Sequence, residues 1–159
     1  SFLTGQPITQ ITVTELPNNG KYSNDNLSIH LDFQDGSIGT IAYLANGTKS
    51  FAKEYIEVFC EGKIGIMDDF RCLILVDDHR KQTLRSRMRQ DKGHRGAWEA
   101  FTAAVTKGSP EPISYSDLFQ VSYAVLAGQE SLQTGQPVNL AAYLKSKLLG
   151  QDQFNRLVN

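Results

Sequence analysis

The chain has 159 residues, the size of one ordinary domain, and 16 basic against 17 acidic residues give a formal net charge of −1. That balance argues against a dedicated nucleic-acid binder, and 40% hydrophobic with 21% charged residues is a globular rather than a disordered composition. Its apolar runs are far shorter than the roughly 20 residues a bilayer requires, and no basic-then-apolar leader opens it. Two cysteines, Cys60 and Cys72, build no disulfide framework and suit a reducing, cytoplasmic setting.

The first two thirds read as strands. Ile11 and Val13 alternate with Thr12 and Thr14, and across Asp25–Phe33 the apolar Leu27, Ile29, Leu31 and Phe33 alternate with Ser28, His30 and Asp32. The Pro, Gly and Asn residues between Leu16 and Asn24 mark a loop. Asp35-Gly36 offers the positive-φ residues of a tight hairpin, from which the chain returns along Ser37–Leu44. Tyr55–Cys60 and Lys63–Asp68 form a second predicted hairpin around Glu61-Gly62, and Arg71–Val76 and Lys81–Met88 a third around Asp77-Asp78-His79.

Past residue 90 the period becomes helical. Ala97, Trp98, Phe101, Ala104 and Val105 fall on one stripe, ended by Gly108 and Pro110. A second helix starts at Ser114 or Ser116 with Asp117 in its first turn, carries Leu118, Val121, Val125 and Leu132 as its apolar face, and stops at Gly135 and Pro137. Residues 140–149 form a short third helical segment. Strands followed by helices predict an α+β domain, an open, mostly antiparallel sheet with helices packed on one face. The other face would carry Tyr43, Tyr55, Glu57 and Phe59, too apolar for water alone, and so an interface.

Motif chemistry is sparse. No glycine-rich phosphate loop occurs, so no dinucleotide site is expected. His30, His79 and His94 are isolated and no paired-cysteine spacing appears, so no metal is expected. Asp68-Asp69 and Asp77-Asp78 flank a strand and could attract a hard cation, though the simpler reading has Asp77-Asp78 answering Arg80-Lys81 around a solvated turn. Cys60, on one strand face with Ile56 and Val58, reads as a small buried hydrophobe, and His30 as a hydrogen-bonded or solvated side chain. Arg85, Arg87 and Arg89 share one strand face. Such a row could track phosphates, but with net charge near zero and no interleaved aromatics an edge strand or interface is the simpler reading, without nucleic acid. Asp91-Lys92-Gly93-His94 precedes the Trp98 helix, where polar groups can meet a hydroxylated or anionic ligand or stand as surface residues.

These segments carry a resemblance. Asp25-Asn26-Leu27-Ser28 through Phe33-Gln34-Asp35-Gly36-Ser37-Ile38-Gly39-Thr40-Ile41 resembles a hairpin of the glucose–fructose oxidoreductase, inositol dehydrogenase and rhizopine-catabolism (Gfo/Idh/MocA) family. Asn46-Gly47-Thr48-Lys49-Ser50-Phe51, Lys53-Glu54, Ile56-Glu57-Val58-Phe59, Asp91-Lys92-Gly93-His94, Trp98-Glu99-Ala100-Phe101 and Ser131-Leu132-Gln133-Thr134-Gly135-Gln136-Pro137-Val138 are similar to further family segments in the same order. The resemblance spans Phe2 to about Leu140.

The resemblance implies that residues 1–140 are the C-terminal α+β substrate and oligomerisation domain, which leaves 141–159 as a tail for which the residues themselves suggest a helix. The fold would be like the C-terminal domains of dihydrodipicolinate reductase and glyceraldehyde-3-phosphate dehydrogenase. The family's N-terminal Rossmann domain, which binds NAD or NADP, has no counterpart here, nor has its Glu-Lys-Pro motif. Phe2-Leu3-Thr4-Gly5 is similar to the last turn of the helix bearing the family's Asp/His pair, so the chain is expected to be a fragment, inactive alone. The parent would be a dehydrogenase acting on a sugar, polyol or related hydroxylated compound. This domain would supply a pocket wall from two loops, one with Asn46 and Lys49 and one with Lys92 and His94, and would self-associate through the sheet face. The alternative is a non-catalytic interaction module using the same open face.

Overall fold

In the computed structural model the described residues are 2–17, 25–86 and 90–147. They form an α+β fold of antiparallel sheets and helices in two compact units, Ser1–Asn46 with Ile113–Asn159, and Gly47–Pro112.

The first unit holds β1 (Ile8–Glu15), β2 (Asn26–Phe33), β3 (Ile38–Leu44), helix α2 (Tyr115–Thr134) and β8 (Val138–Asn139), its sheet ordered β3-β2-β1-β8. The β2–β3 hairpin uses less positive φ than Asp35-Gly36 suggests. Only Gly36 is left-handed, at φ 86°, and its N–H donates to Phe33 O while Phe33 N–H donates to Ser37 O. That is a type I turn closed by a glycine bulge. The Asp35 carboxylate accepts from the Ser37 N–H and hydroxyl, both at 3.0 Å, and the backbone donor chiefly holds its pKa below the usual range.

Helix α2 begins where expected: Ser114 is the N-cap and its hydroxyl accepts from Asp117 N–H at 3.1 Å. It ends at left-handed Gly135, whose N–H donates to Ser131 O at 2.8 Å. Its buried face is a correction to the sequence reading. Leu118, Val121 and Val125 are 48%, 47% and 58% exposed, while Ala124, Ala127, Gly128 and Ser131 are buried. Small residues win because the helix lies directly on β1. A Cβ on Gly128 would meet Ile11 Cδ1 at 3.1 Å and Val13 Cγ2 at 3.3 Å. Strand β8 covers β1 only at Gln10 and Ile11, and farther along the buried Ser131 hydroxyl accepts from Val13 N–H at 3.0 Å. That bond matters, since a buried N–H left without a partner costs about 1–3 kcal/mol. Ile8, Ile11, Val13, Phe33, Val138 and Leu140 complete the core. Strand β8, absent from the sequence reading, follows α2 directly, and residues 140–147 are helical.

The second unit holds β4 (Tyr55–Cys60), β5 (Lys63–Asp68), β6 (Cys72–Val76), β7 (Lys81–Arg85) and helix α1 (His94–Lys107), its sheet a meander in the order β4-β5-β6-β7. Glu61 (φ 47°) and Gly62 (φ 76°) turn the first hairpin. At the last turn the Asp77 carboxylate accepts from the N–H groups of His79 and Arg80, rather than answering the Arg80 and Lys81 charges. Cys60 is exposed, not buried: it ends β4 opposite Lys63, on a strand none of whose residues is buried. Helix α1 closes at left-handed Gly108 and presents Trp98 and Phe101 outward, their ring centroids 5.9 Å apart. No described residue of 47–112 is buried. No helix among the described residues is long and apolar enough to cross a membrane.

Candidate functional site

The densest cluster of polar contacts in the second unit surrounds the β5–β6 turn. Asp69 and Phe70 are both left-handed, at φ 50° and 52°, and Arg71 N–H closes the turn on Asp68 O at 2.9 Å. Positive φ at both central residues is the primed turn that suits a two-residue hairpin, strained here only in placing the bulky Phe70 where glycine is usual. Asp69 N–H donates to Glu54 O at 2.8 Å, and Phe70 N–H to Met67 Sδ at 3.0 Å. The Asp69 carboxylate accepts from Gln90 Nε2 at 2.6 Å and pairs with Arg71 at 3.2 Å. Asp91 N–H donates to Phe70 O at 3.2 Å, tying the chain ahead of α1 to the turn.

Lys92 is drawn into this knot. Its Nζ lies 2.6 Å from Glu54 Oε1 and 5.6 Å from the centre of the Phe70 ring, and both charged side chains are only about a third exposed. Next to it Gly93 (φ 72°) takes the N-cap position of α1, its N–H donating to Asp91 Oδ1 at 3.0 Å. His94 opens the helix and is exposed.

Asn46 is exposed and held through its backbone: its N–H donates to Oδ1 of Asn26, the one side chain of the Asp25-Asn26 pair that is buried, at 3.0 Å. Lys49 is exposed in a turn where Thr48 and Ser50 hydroxyls lie 3.0 Å apart. No hydrogen bond or ion pair joins Lys49 to Lys92 or His94 among the described residues. Sequence reasoning missed Glu54, Asp69 and Phe70. Adjacent carboxylate and aromatic residues in a hairpin turn are an available signal, but nothing local in sequence says that Glu54 faces Lys92.

The expected interface residues divide. Tyr55, Glu57 and Phe59 alternate along one face of β4, with Ile64, Ile66, Ile74 and Val76 beside them across the ladder. Asp68, Arg85 and Lys81 sit at the margins of the same face. Tyr55 Oη donates to Glu57 Oε1 at 2.9 Å, and that bond to a carboxylate raises the phenol pKa. Tyr43 departs from the expectation. It pairs with Leu27 on the β3 face shared by Ile41, Ile29 and Val13, the side on which α2 packs. The helix-free face of that sheet is polar along β1 and β2, with Gln10, Thr12, Thr14, Ser28, His30 and Asp32, while β3 adds Thr40 and the apolar Ile38, Ala42 and Leu44. There the His30 ring lies 3.2 Å from Asp32, which also accepts from Gln10 at 3.1 Å. Of the arginine row, Arg85 lies on the Tyr55 face, while Arg87 and Arg89 fall outside the described residues.

No group of three or more metal-ligating side chains occurs among the described residues. All strand pairs among them are antiparallel, with no strand-to-helix crossover between parallel neighbours.

No protein-family model matches the chain, and no curated protein matches it. Solved structures do. An oxidoreductase from Agrobacterium radiobacter, in complex with NAD+, L-tartaric acid and magnesium, is 17% identical at a TM-score of 0.68, over 86% of this chain and 44% of its own. A UDP-N-acetylglucosamine 3-dehydrogenase from Acidithiobacillus ferrooxidans is 14% identical at 0.68, over 84% and 43%. An aldose–aldose oxidoreductase from Caulobacter crescentus, complexed with glycerol, is 15% identical at 0.66, over 87% and 43%. The chain thus has the fold of part of these oxidoreductases, as its sequence resemblance implies, and spans less than half the length of each.

Proposed function

We propose that this chain is the C-terminal, substrate-facing domain of an NAD(P)-dependent oxidoreductase that acts on a sugar, a polyol or a related hydroxylated compound in the cytoplasm. The observation that carries this reading is the fold shared, over 84–87% of this chain, with dehydrogenases and oxidoreductases about twice as long. Their names attach NAD+ to one and sugar substrates to others. The antiparallel sheets here hold no dinucleotide-binding unit, so the nicotinamide belongs to an N-terminal Rossmann domain of the parent. Residues 1–140 contribute the wall of the pocket that faces it, with 141–159 as a tail. Lys92 and His94 stand at the start of α1 to bind and orient substrate hydroxyls, and Asn46 and Lys49 line a second loop of that wall. Titrating the chain alone with NADH and NADPH should show no saturable change in nicotinamide fluorescence; a micromolar Kd for either would overturn this division of labour.

The same reading makes the β4 face an assembly surface. An apolar centre at Phe59, Ile64 and Ile66 with a polar margin is the anatomy of a protein interface, and a second copy related by a two-fold axis is the simplest occupant. Tyr55→Asp with Phe59→Asp should shift sedimentation of the folded domain from dimer to monomer. An unchanged sedimentation coefficient in a folded double variant would remove this face from the assembly.

A further inference from the structure

The Lys92–Glu54 pair has a consequence for the kind of substrate the site accepts. The Lys92 ammonium lies 2.6 Å from Glu54 Oε1 and 5.6 Å from the centre of the Phe70 ring, and the chain just ahead of it is tied by the Asp91–Phe70 hydrogen bond. Glu54 is fixed in turn by the bond its carbonyl accepts from Asp69. Two long side chains that ordinarily wander are placed as a unit beside a turn in a strained conformation.

As a unit they carry no net charge. The ammonium has three donors, of which Glu54 takes one, and the carboxylate keeps acceptor sites beyond those used by Lys92. Such a pair complements a hydroxyl, which both donates and accepts. A carboxylate only accepts, and would approach Lys92 against the charge of Glu54.

We propose that Glu54 is a positioning residue that sets charge preference: by holding and neutralising Lys92 it fits this part of the pocket to neutral hydroxylated substrates over their carboxylate counterparts. This deepens, and rests on, the oxidoreductase reading above.

The test uses the full reading frame that carries this domain, assayed with matched pairs such as glucose with glucuronate and galactose with galacturonate. The wild-type enzyme should favour the neutral member. Glu54→Gln leaves the ammonium unneutralised and should move the ratio of kcat/KM at least tenfold towards the carboxylate, mainly through KM, whereas Glu54→Asp should keep the wild-type order. If Glu54→Gln does not fold, Lys92→Met carries the test from the other side. It leaves an unpaired carboxylate and should move the ratio at least tenfold towards the neutral member. Loss of a merely structural contact would change both substrates alike and leave the ratio where it was. Wild-type turnover with an unmoved ratio in a folded variant overturns the proposal alone. Absence of turnover for every pair across a panel of sugars, polyols and related hydroxylated compounds overturns the oxidoreductase reading, and the proposal with it.

Discussion

Gly128→Val should destabilise the domain by about 2–3 kcal/mol, read as a lower urea midpoint with secondary structure retained at low denaturant. The cause is space: the first added carbon already meets Ile11 and Val13 at 3.1 and 3.3 Å, and two further methyls have nowhere to go in the seam between α2 and β1. Gly128→Ala separates this effect from helix propensity. Alanine gains about 1 kcal/mol over glycine in a helix, while the displaced Ile11 Cδ1 is the end of a flexible side chain. The two terms offset, and the alanine variant should lie within about 1 kcal/mol of wild type. A valine variant as stable as the alanine one would mean that α2 does not approach β1 this closely.

The second large effect belongs to the proposed pocket. In the enzyme that carries this domain, Lys92→Ala and His94→Ala should each lower kcat/KM at least tenfold, a loss of about 1.4 kcal/mol in transition-state stabilisation. Lys92→Ala also strips Glu54 of its partner and the Phe70 ring of its cation, so circular dichroism must accompany the kinetics. His94 is exposed, and its replacement should leave the fold intact. Wild-type kinetics in both variants would remove these residues from the site.

Much of the local structure was legible in the sequence because it obeys local rules. The period of two in Leu27, Ile29, Leu31 and Phe33 places β2, and Ser114 and Gly135 fix the ends of α2 by their own hydrogen bonds. What failed depends on neighbours distant in sequence. Leu118, Val121 and Val125 are the more hydrophobic face of α2, yet Ala124, Ala127, Gly128 and Ser131 are buried, because close approach to a strand selects for small volume. Tyr43 is expected on the helix-free face, but alternation gives only relative parity along a strand; its pairing with Leu27 and the position of α2 settle the side. At the candidate site Lys92 and His94 could be singled out by type and place. Their surroundings could not, since Glu54 is 38 residues from Lys92 and the strained Asp69-Phe70 turn is set by contacts from three segments.

The central claim is that this domain forms the substrate-facing half of a nicotinamide-dependent oxidoreductase. It is tested most directly by expressing the full reading frame that carries it and following nicotinamide absorbance with NAD+ and with NADP+ over a panel of sugars and polyols. The account predicts substrate-dependent reduction of at least one of the two nucleotides, lost when residues 1–140 are deleted. Nucleotide reduction unaffected by that deletion, or none with any hydroxylated substrate, would contradict it.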